Sequence, residues 1–122
     1  MKPKVLIADD LTQITDLVEV ILGKKGITVV KVHNTRDIIE VALDNPDIDL
    51  LILDKDCFGE GSVVDTVRRL CDGIKIVLWS GGFVGDENPA DYDVDAVVPK
   101  GTSPVEILDR LIPWPSKAAE LK

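Results

Sequence analysis

Acidic, hydroxyl and amine side chains stand directly after four short apolar runs of this sequence. They are Asp9 and Asp10 after the first run, Asp54 and Asp56 after the third, Ser80 after the fourth and Lys100 after the fifth. Two carboxylates about 4 Å apart repel one another by roughly 4 kcal/mol at an effective dielectric constant near 20. A hard divalent cation removes this repulsion, and Mg²⁺ prefers carboxylate, water and phosphate oxygens. These residue types therefore predict a magnesium site.

The same residues suit phosphoryl transfer. That reaction needs a nucleophile, a metal ion that neutralises phosphate charge, and donors that contact the phosphoryl oxygens. We predict Asp54 as the nucleophile. Asp9 and Asp10 are the predicted metal ligands, and Ser80 and Lys100 the predicted phosphate contacts. A single aspartate after a strand is usually a turn or helix-cap residue, so the prediction depends on four strand ends meeting at one edge.

Five apolar runs alternate with segments of helical periodicity along the chain. They cover residues 5–8, 27–32, 50–53, 74–79 and 96–98. Each is short and apolar on both faces, which is typical of parallel strands covered by helices. In open parallel sheets the ligand site lies at the carboxyl ends of the strands. The pattern predicts an α/β fold with a doubly wound, five-stranded parallel sheet.

Apolar positions three to four residues apart predict the helices. The first buries Leu11, Ile14, Leu17, Val18, Ile21 and Leu22, and the second begins at Asn34 or Thr35 and buries Ile38, Ile39, Ala42 and Leu43. The third covers residues 62–70, with Val63, Val67 and Leu70 inward and Arg68 and Arg69 toward solvent. The last follows a Ser103 cap with Pro104 at its first position, and buries Val105, Leu108, Leu111 and Ile112.

Residues 81–95 are rich in glycine and acidic side chains, so the fourth helix is expected to be short or irregular.

Composition limits the classes of protein and partner. The 122 residues fit one domain, and 45% apolar with 30% charged residues and a mean hydropathy of +0.14 are typical of a soluble globular protein. The formal charge of -8 disfavours direct binding to nucleic acid. Neither a signal peptide nor a membrane-spanning run is visible, so we expect no membrane insertion, a cytoplasmic location and reduced thiols at Cys57 and Cys71.

Four motifs in order resemble the CheY-like receiver domain of bacterial two-component response regulators. They are ADD after the first strand, LLILDKD at the third, VLWSG at the fourth and AVVPKG at the fifth. The resemblance covers nearly the whole chain. It implies a flavodoxin-like (βα)5 three-layer sandwich, with a receiver domain over residues 1–112 and a short tail over residues 113–122 without an effector domain.

The resemblance also implies roles for individual residues. Asp54 would accept a phosphoryl group from a histidine kinase or phosphotransfer protein. Asp10, Asp54 and the backbone carbonyl of Asp56 would bind Mg²⁺, for which Mn²⁺ can substitute, and Asp9 would help through water. Ser80 and Lys100 would hold the phosphoryl oxygens, and Asp56 would modulate the lifetime of the acyl phosphate.

A stand-alone receiver is a phosphoacceptor and not an enzyme in the ordinary sense. The reactions that it catalyses are its own phosphorylation and dephosphorylation. Its phosphorylated form would signal by docking to a downstream protein whose identity the sequence does not give. Formation of a dimer on phosphorylation is compatible with the sequence.

The chain departs from the family pattern near the last strand. Val97 stands where the family usually has an aromatic residue, and Pro99 precedes Lys100, whereas the family has proline after the lysine. Tyr92 lies five residues before Val97, and we interpret it as a loop residue. Lys55 is interpreted as a solvated side chain, because strand alternation directs it away from Asp54.

Two other functions remain open from the sequence. LLILDKD also resembles the nucleophile motif of haloacid-dehalogenase-type phosphatases, with Asp54 attacking and Asp56 as general acid, but the acidic pair Asp9 and Asp10 comes too early in the chain. A pseudo-receiver, which keeps the fold as an interaction module and works without phosphorylation, is favoured by Val97 and opposed by the complete acidic set and Lys100.

Overall fold

Five parallel strands form one sheet in the order β2-β1-β3-β4-β5, which is the flavodoxin-like order. The strands are β1 (Lys4–Ala8), β2 (Thr28–Val32), β3 (Leu50–Asp54), β4 (Lys75–Ser80) and β5 (Ala96–Pro99). All five residues of the central strand β3 are buried. The prediction of a five-stranded parallel sheet is confirmed, with strand limits within one residue of those predicted.

This computed structural model describes residues 2–55, 62–81 and 88–112. The predictions for Asp56, Cys57 and the tail over residues 113–122 therefore lie outside the described residues.

The described helices are α1 (Thr12–Gly23), α2 (Thr35–Asp44), α3 (Ser62–Leu70) and α4 (Pro104–Leu111). Two core clusters separate them into layers. Side chains of α2 and α3 pack on one face of the sheet with Leu51 and Leu53, and side chains of α1 and α4 pack on the other face with Ile52 and Trp79. The structure is therefore the three-layer α/β sandwich that the sequence predicts.

Helix starts follow the predicted capping residues only in part. The Asn34 side chain accepts a hydrogen bond of 2.8 Å from the backbone N–H of Asp37, which satisfies a donor in the first turn of α2. Pro104 occupies the first turn of α4 as predicted. Ser103 does precede it, but its side chain makes no capping hydrogen bond, so this detail of the prediction is wrong.

Several predicted inward residues are exposed. Leu11, Leu17 and Leu43 are 49%, 54% and 64% exposed, although helical periodicity predicted them as core. The apolar face of these helices is wider than the part of each helix that packs against the sheet, so apolar residues at its margin stay exposed. Val64 and Ile107, which were not predicted as core residues, are 1% exposed.

Arg68 does not point freely to solvent as predicted. Its guanidinium donates to the backbone oxygen of Asp93 at 3.0 Å and lies 3.2 Å from the Asp95 carboxylate. Asp95 precedes β5, so no pattern within α3 could reveal this partner. The ion pair joins α3 to the amino edge of the sheet, the edge at which the strands begin.

The connection between β4 and β5 contains a single turn of 3-10 helix, Pro89–Tyr92, within its described part. The Asn88 side chain caps it by accepting from the backbone N–H of Ala90, and Asp93 ends it in the left-handed conformation with φ of 56°. The predicted short or irregular helix is confirmed for residues 88–95. Across the described ranges, no helix has the length and apolar character needed to cross a bilayer.

Candidate functional site

Three carboxylates meet at the carboxyl edge of the sheet, as predicted. Asp9 and Asp10 follow β1 and Asp54 ends the adjacent strand β3, because Ala8 and Leu53 are register partners. One carboxylate oxygen from each of the three lies within 4.8 Å of the other two. Asp9 is fully buried, Asp54 is 2% exposed and Asp10 is exposed to solvent.

Lys100 bridges the two buried carboxylates. Its Nζ lies 2.8 Å from Oδ2 of Asp9 and 3.3 Å from Oδ1 of Asp54. Burial alone lowers the pKa of Lys100, but the hydrogen bonds and charges of Asp9 and then Asp54 outweigh it, so the pKa is raised. Lys100 is therefore a fixed positive charge beside Asp54 at neutral pH.

The backbone at the end of β5 is fixed in a way that aims Lys100 at the carboxylates. The backbone N–H of Lys100 donates to the backbone oxygen of Ser80 at 2.7 Å. The Trp79 indole N–H donates to the backbone oxygen of Pro99 at 2.8 Å. Gly101 then turns the chain with φ of 98°, a conformation that a side chain would strain.

Asp9 is held by its own turn. Its Oδ1 accepts a hydrogen bond of 2.9 Å from the backbone N–H of Leu11, and its backbone N–H donates to Val32 at 3.2 Å. One oxygen of the carboxylate therefore serves the turn, and the other faces Lys100. The two contacts therefore fix the orientation of the buried Asp9 carboxylate before any ligand binds.

Ser80 lies at the same edge of the sheet. Asp54 is paired in register with Trp79, and Ser80 is the next residue of β4, 5% exposed. Of the six predicted site residues, Asp9, Asp10, Asp54, Ser80 and Lys100 are thus collected at one edge, and Asp56 lies outside the described residues.

The donor set fits a small divalent cation. Oxygens around one octahedral Mg²⁺ ion are about 3.0 Å apart at adjacent positions and about 4.2 Å apart at opposite ones, because each Mg–O distance is about 2.1 Å. The three carboxylate oxygens already lie within 4.8 Å of one another, and rotation of the side chains, Asp10 being exposed, would bring them to these distances. All three ligands are hard carboxylate oxygens, the type that magnesium and calcium select.

Solved structures that this chain resembles include response regulators. A response regulator from Burkholderia pseudomallei, solved with a phosphorylated aspartic acid, calcium and citrate, has a TM-score of 0.76 at 14% identity over 98% of this chain and 72% of its own. TrrA from Thermotoga maritima, solved with Mg²⁺ and a beryllofluoride, has a TM-score of 0.72 at 22% identity over 90% of this chain and 96% of its own.

A third neighbour is the R. sphaeroides complex of the CheA3 P1 domain with CheY6, with a TM-score of 0.73 at 19% identity over 90% of this chain and 96% of that chain. The chain has the CheY-like receiver fold. No protein-family model and no curated protein sequence matches it.

Two contacts near the carboxyl edge of the sheet were not predicted from the sequence. Trp79 fixes the loop that carries Lys100, and a tryptophan at the end of an apolar run was the only signal for it. The ammonium of Lys55 lies over the ring of Tyr92, 5.7 Å from its centroid. Tyr92 is a residue of the loop between β4 and β5, as predicted, but its ring also packs on the core and gives Lys55 a partner, so Lys55 is not simply solvated.

Proposed function

We propose that this protein is a phosphoacceptor receiver in two-component or phosphorelay signalling, and that Asp54 is the residue phosphorylated. The observation that carries the proposal is the buried Asp9–Lys100–Asp54 arrangement with Asp10 beside it. A buried pair of carboxylates has little value for stability. Such a cluster is expected where charge is required for binding or chemistry.

The proposed reaction is transfer of a phosphoryl group to an Asp54 oxygen. A carboxylate oxygen attacks phosphorus, a new P–O bond forms, and the P–N bond of a phosphohistidine donor breaks. The bonding electron pair stays on the imidazole nitrogen, which then takes a proton. Dephosphorylation is the corresponding attack of water, which returns the carboxylate and releases inorganic phosphate.

Each residue has a defined task in this reaction. Asp9, Asp10 and Asp54 would hold Mg²⁺, together with the backbone carbonyl of Asp56, and the cation would neutralise phosphate charge when bound. Lys100 already contacts Asp54 and would pair with a phosphoryl oxygen with little reorganisation. Ser80 would donate its hydroxyl to another phosphoryl oxygen. Asp56 would also influence the lifetime of the product.

Partners follow from this chemistry. The donor would be a histidine kinase or a phosphotransfer protein, in line with the CheA3 P1 domain bound to CheY6 in the R. sphaeroides neighbour. The phosphorylated form would act by docking to a protein target rather than to nucleic acid, because the chain carries a formal charge of -8. We place the protein in the cytoplasm, where thiols such as that of Cys71 stay reduced.

Intact-mass measurement after incubation with acetyl phosphate tests the proposal. We expect one phosphoryl adduct on the wild type with Mg²⁺, and none without Mg²⁺ or on Asp54→Asn. Asp72→Asn, which changes an exposed aspartate at the opposite edge of the sheet, is the matched control and should behave as wild type.

A wild type without an adduct leads to a second measurement, binding of beryllofluoride with Mg²⁺. Binding would mean that the acyl phosphate hydrolyses faster than the assay. Absence of binding would reject the proposal in favour of a pseudo-receiver.

A further inference from the structure

Lys55 joins the proposed phosphoacceptor to the turn before β5. It follows Asp54 directly, and its ammonium lies 5.7 Å from the centroid of the Tyr92 ring. Tyr92 is the last residue of the 3-10 turn Pro89–Tyr92. A cation at this distance from an aromatic face is attracted by the negative potential of the ring.

Tyr92 is anchored on the face of the sheet that carries α2 and α3. Its ring packs against the same core cluster as Leu53, the residue before Asp54, and Val97 of β5. Lys55 lies just beyond the end of β3, and its contact with the Tyr92 ring brings its ammonium to this same face. A change at Tyr92 therefore acts on a ring in contact with the core, not on a solvated side chain.

The turn that carries Tyr92 is closed by its own hydrogen bonds and is tied to α3. The backbone N–H of Asp93 donates to Ala90 at 3.3 Å, and that of Val94 donates to Pro89 at 3.2 Å. Beyond the turn, Arg68 of α3 donates to the backbone oxygen of Asp93. Motion of the ring would thus reach the start of β5 and the end of α3 through short, continuous contacts.

Charge balance changes at Asp54 when it is phosphorylated. Three carboxylates and the Lys100 ammonium carry two net negative charges, which one divalent cation neutralises. An aspartyl phosphate carries about two negative charges where the carboxylate carried one. The phosphorylated and metal-bound cluster then has one uncompensated negative charge. Lys55, the residue after Asp54, carries a positive charge beside it.

We propose that phosphorylation of Asp54 draws Lys55 away from Tyr92, and that the released ring transmits the change to the turn before β5. The inference rests on the proposed function. A charge-assisted hydrogen bond to a phosphoryl oxygen is stronger than an exposed cation–π contact. Adjacent Cα atoms are about 3.8 Å apart, and the flexible lysine stem lets the ammonium change partners without backbone movement.

Tyr92 is the single tyrosine of the sequence, which gives a direct readout. Protein labelled with 3-fluorotyrosine has one tyrosine ¹⁹F resonance, and beryllofluoride with Mg²⁺ serves as the stable mimic of the phosphoryl group. We expect this resonance to shift when the mimic binds wild type. In Lys55→Gln the resonance should start from a different position, and the mimic should produce less than about a third of the wild-type shift.

Lys75→Gln is the matched control, because Lys75 is an exposed lysine at the opposite edge of the sheet. It should give the full wild-type shift. An equal shift in wild type and Lys55→Gln would overturn the inference, as would an unmoved wild-type resonance in a sample with bound mimic. The fluorines of bound beryllofluoride are observed in the same spectra, so a sample that binds no mimic identifies a failure of the proposed function itself.

Discussion

The two edges of the sheet use the same residue types under different conditions of burial. At the carboxyl edge, Asp9 is fully buried, Asp54 is 2% exposed, and both share Lys100. At the amino edge, the Arg68–Asp95 pair leaves 31% and 25% of its side chains exposed. The carboxyl edge therefore concentrates charge away from water, whereas the amino edge lets water screen it.

The hydrogen bonds show what each edge is for. Asp95 accepts from the backbone N–H of Ile76 at 2.8 Å, and Asp49 accepts from that of Lys4 at 2.9 Å. These carboxylates satisfy donors at strand starts, which stabilises the fold. At the carboxyl edge, Asp9 also accepts from a backbone N–H, that of Leu11, but its other oxygen faces the Lys100 ammonium, which it shares with Asp54. The amino edge therefore contributes to stability, and the proposed function assigns chemistry to the carboxyl edge.

The largest difference between the effect on phosphorylation and the effect on stability is expected for Asp54→Asn. Phosphoryl incorporation from acetyl phosphate should fall below about 1% of wild type, because the proposed nucleophile is lost. The free energy of unfolding should change by less than about 1 kcal/mol, because the lost Lys100 contact is offset by relief of carboxylate repulsion. Adduct mass and urea midpoints measure the two effects. A loss above about 3 kcal/mol would show that this carboxylate holds the fold.

Magnesium should stabilise the protein through the carboxyl edge alone. At a free concentration about 100 times its dissociation constant, Mg²⁺ should raise the free energy of unfolding by about 2.7 kcal/mol. The same gain is expected in Asp95→Ala at the amino edge, and a much smaller one in Asp10→Asn. Urea unfolding with and without Mg²⁺ measures it. An undiminished gain in Asp10→Asn would place the cation elsewhere.

The reverse pattern is expected for Asp95→Ala. It removes the acceptor for Ile76 and the partner of Arg68, so we expect a loss of about 2 kcal/mol in the free energy of unfolding. Phosphoryl incorporation should remain within about twofold of wild type. Asp47→Ala is the control, since its pair with Lys4 is a surface contact, and should cost less than about 0.5 kcal/mol. Equal losses in the two variants would contradict the assignment.

The smallest expected effect concerns Cys71, a buried thiol near the amino edge. Burial, followed by the charge of Asp47, raises the pKa of Cys71 above its ordinary value of 9.0, and a hydrogen bond from the backbone of Ile48 opposes this weakly. The unfolded state therefore loses the thiol proton at lower pH than the folded state. The stability that this provides is complete below about pH 9 and declines as the pH rises further.

Comparison with Cys71→Ala isolates this decline from the titration of other groups. The difference in unfolding free energy between wild type and variant should be constant near neutral pH and shrink as the pH rises above about 9. Guanidinium unfolding at a series of pH values measures it. A difference that grows with pH would mean that the folded state favours the thiolate.

The sheet and the location of the site were predictable because both depend on local patterns. Apolar runs such as that of β3 are separated by turns and helices, and the residues after them share an edge by the geometry of parallel sheets. Asp9, Asp54 and Lys100 could therefore be grouped from the sequence alone.

The features that were missed depend on contacts between distant segments. Periodicity placed Leu17 and Leu43 on apolar stripes, but the width of the covered strip depends on neighbouring elements. Arg68 meets a carboxylate before β5, and Tyr92 meets the lysine after β3. Neither pairing leaves a signal in its own segment.

The central place of β3 also determines how the site responds to local opening of the chain. β3 is hydrogen-bonded on both sides, to β1 and to β4, whereas β2 and β5 are the outer strands of the sheet. Amide hydrogens of β3 should therefore exchange with solvent only through global unfolding, after those of the outer strands. Asp54, the proposed acceptor, is carried by the segment that opens last, so fraying of the outer strands leaves its backbone in place.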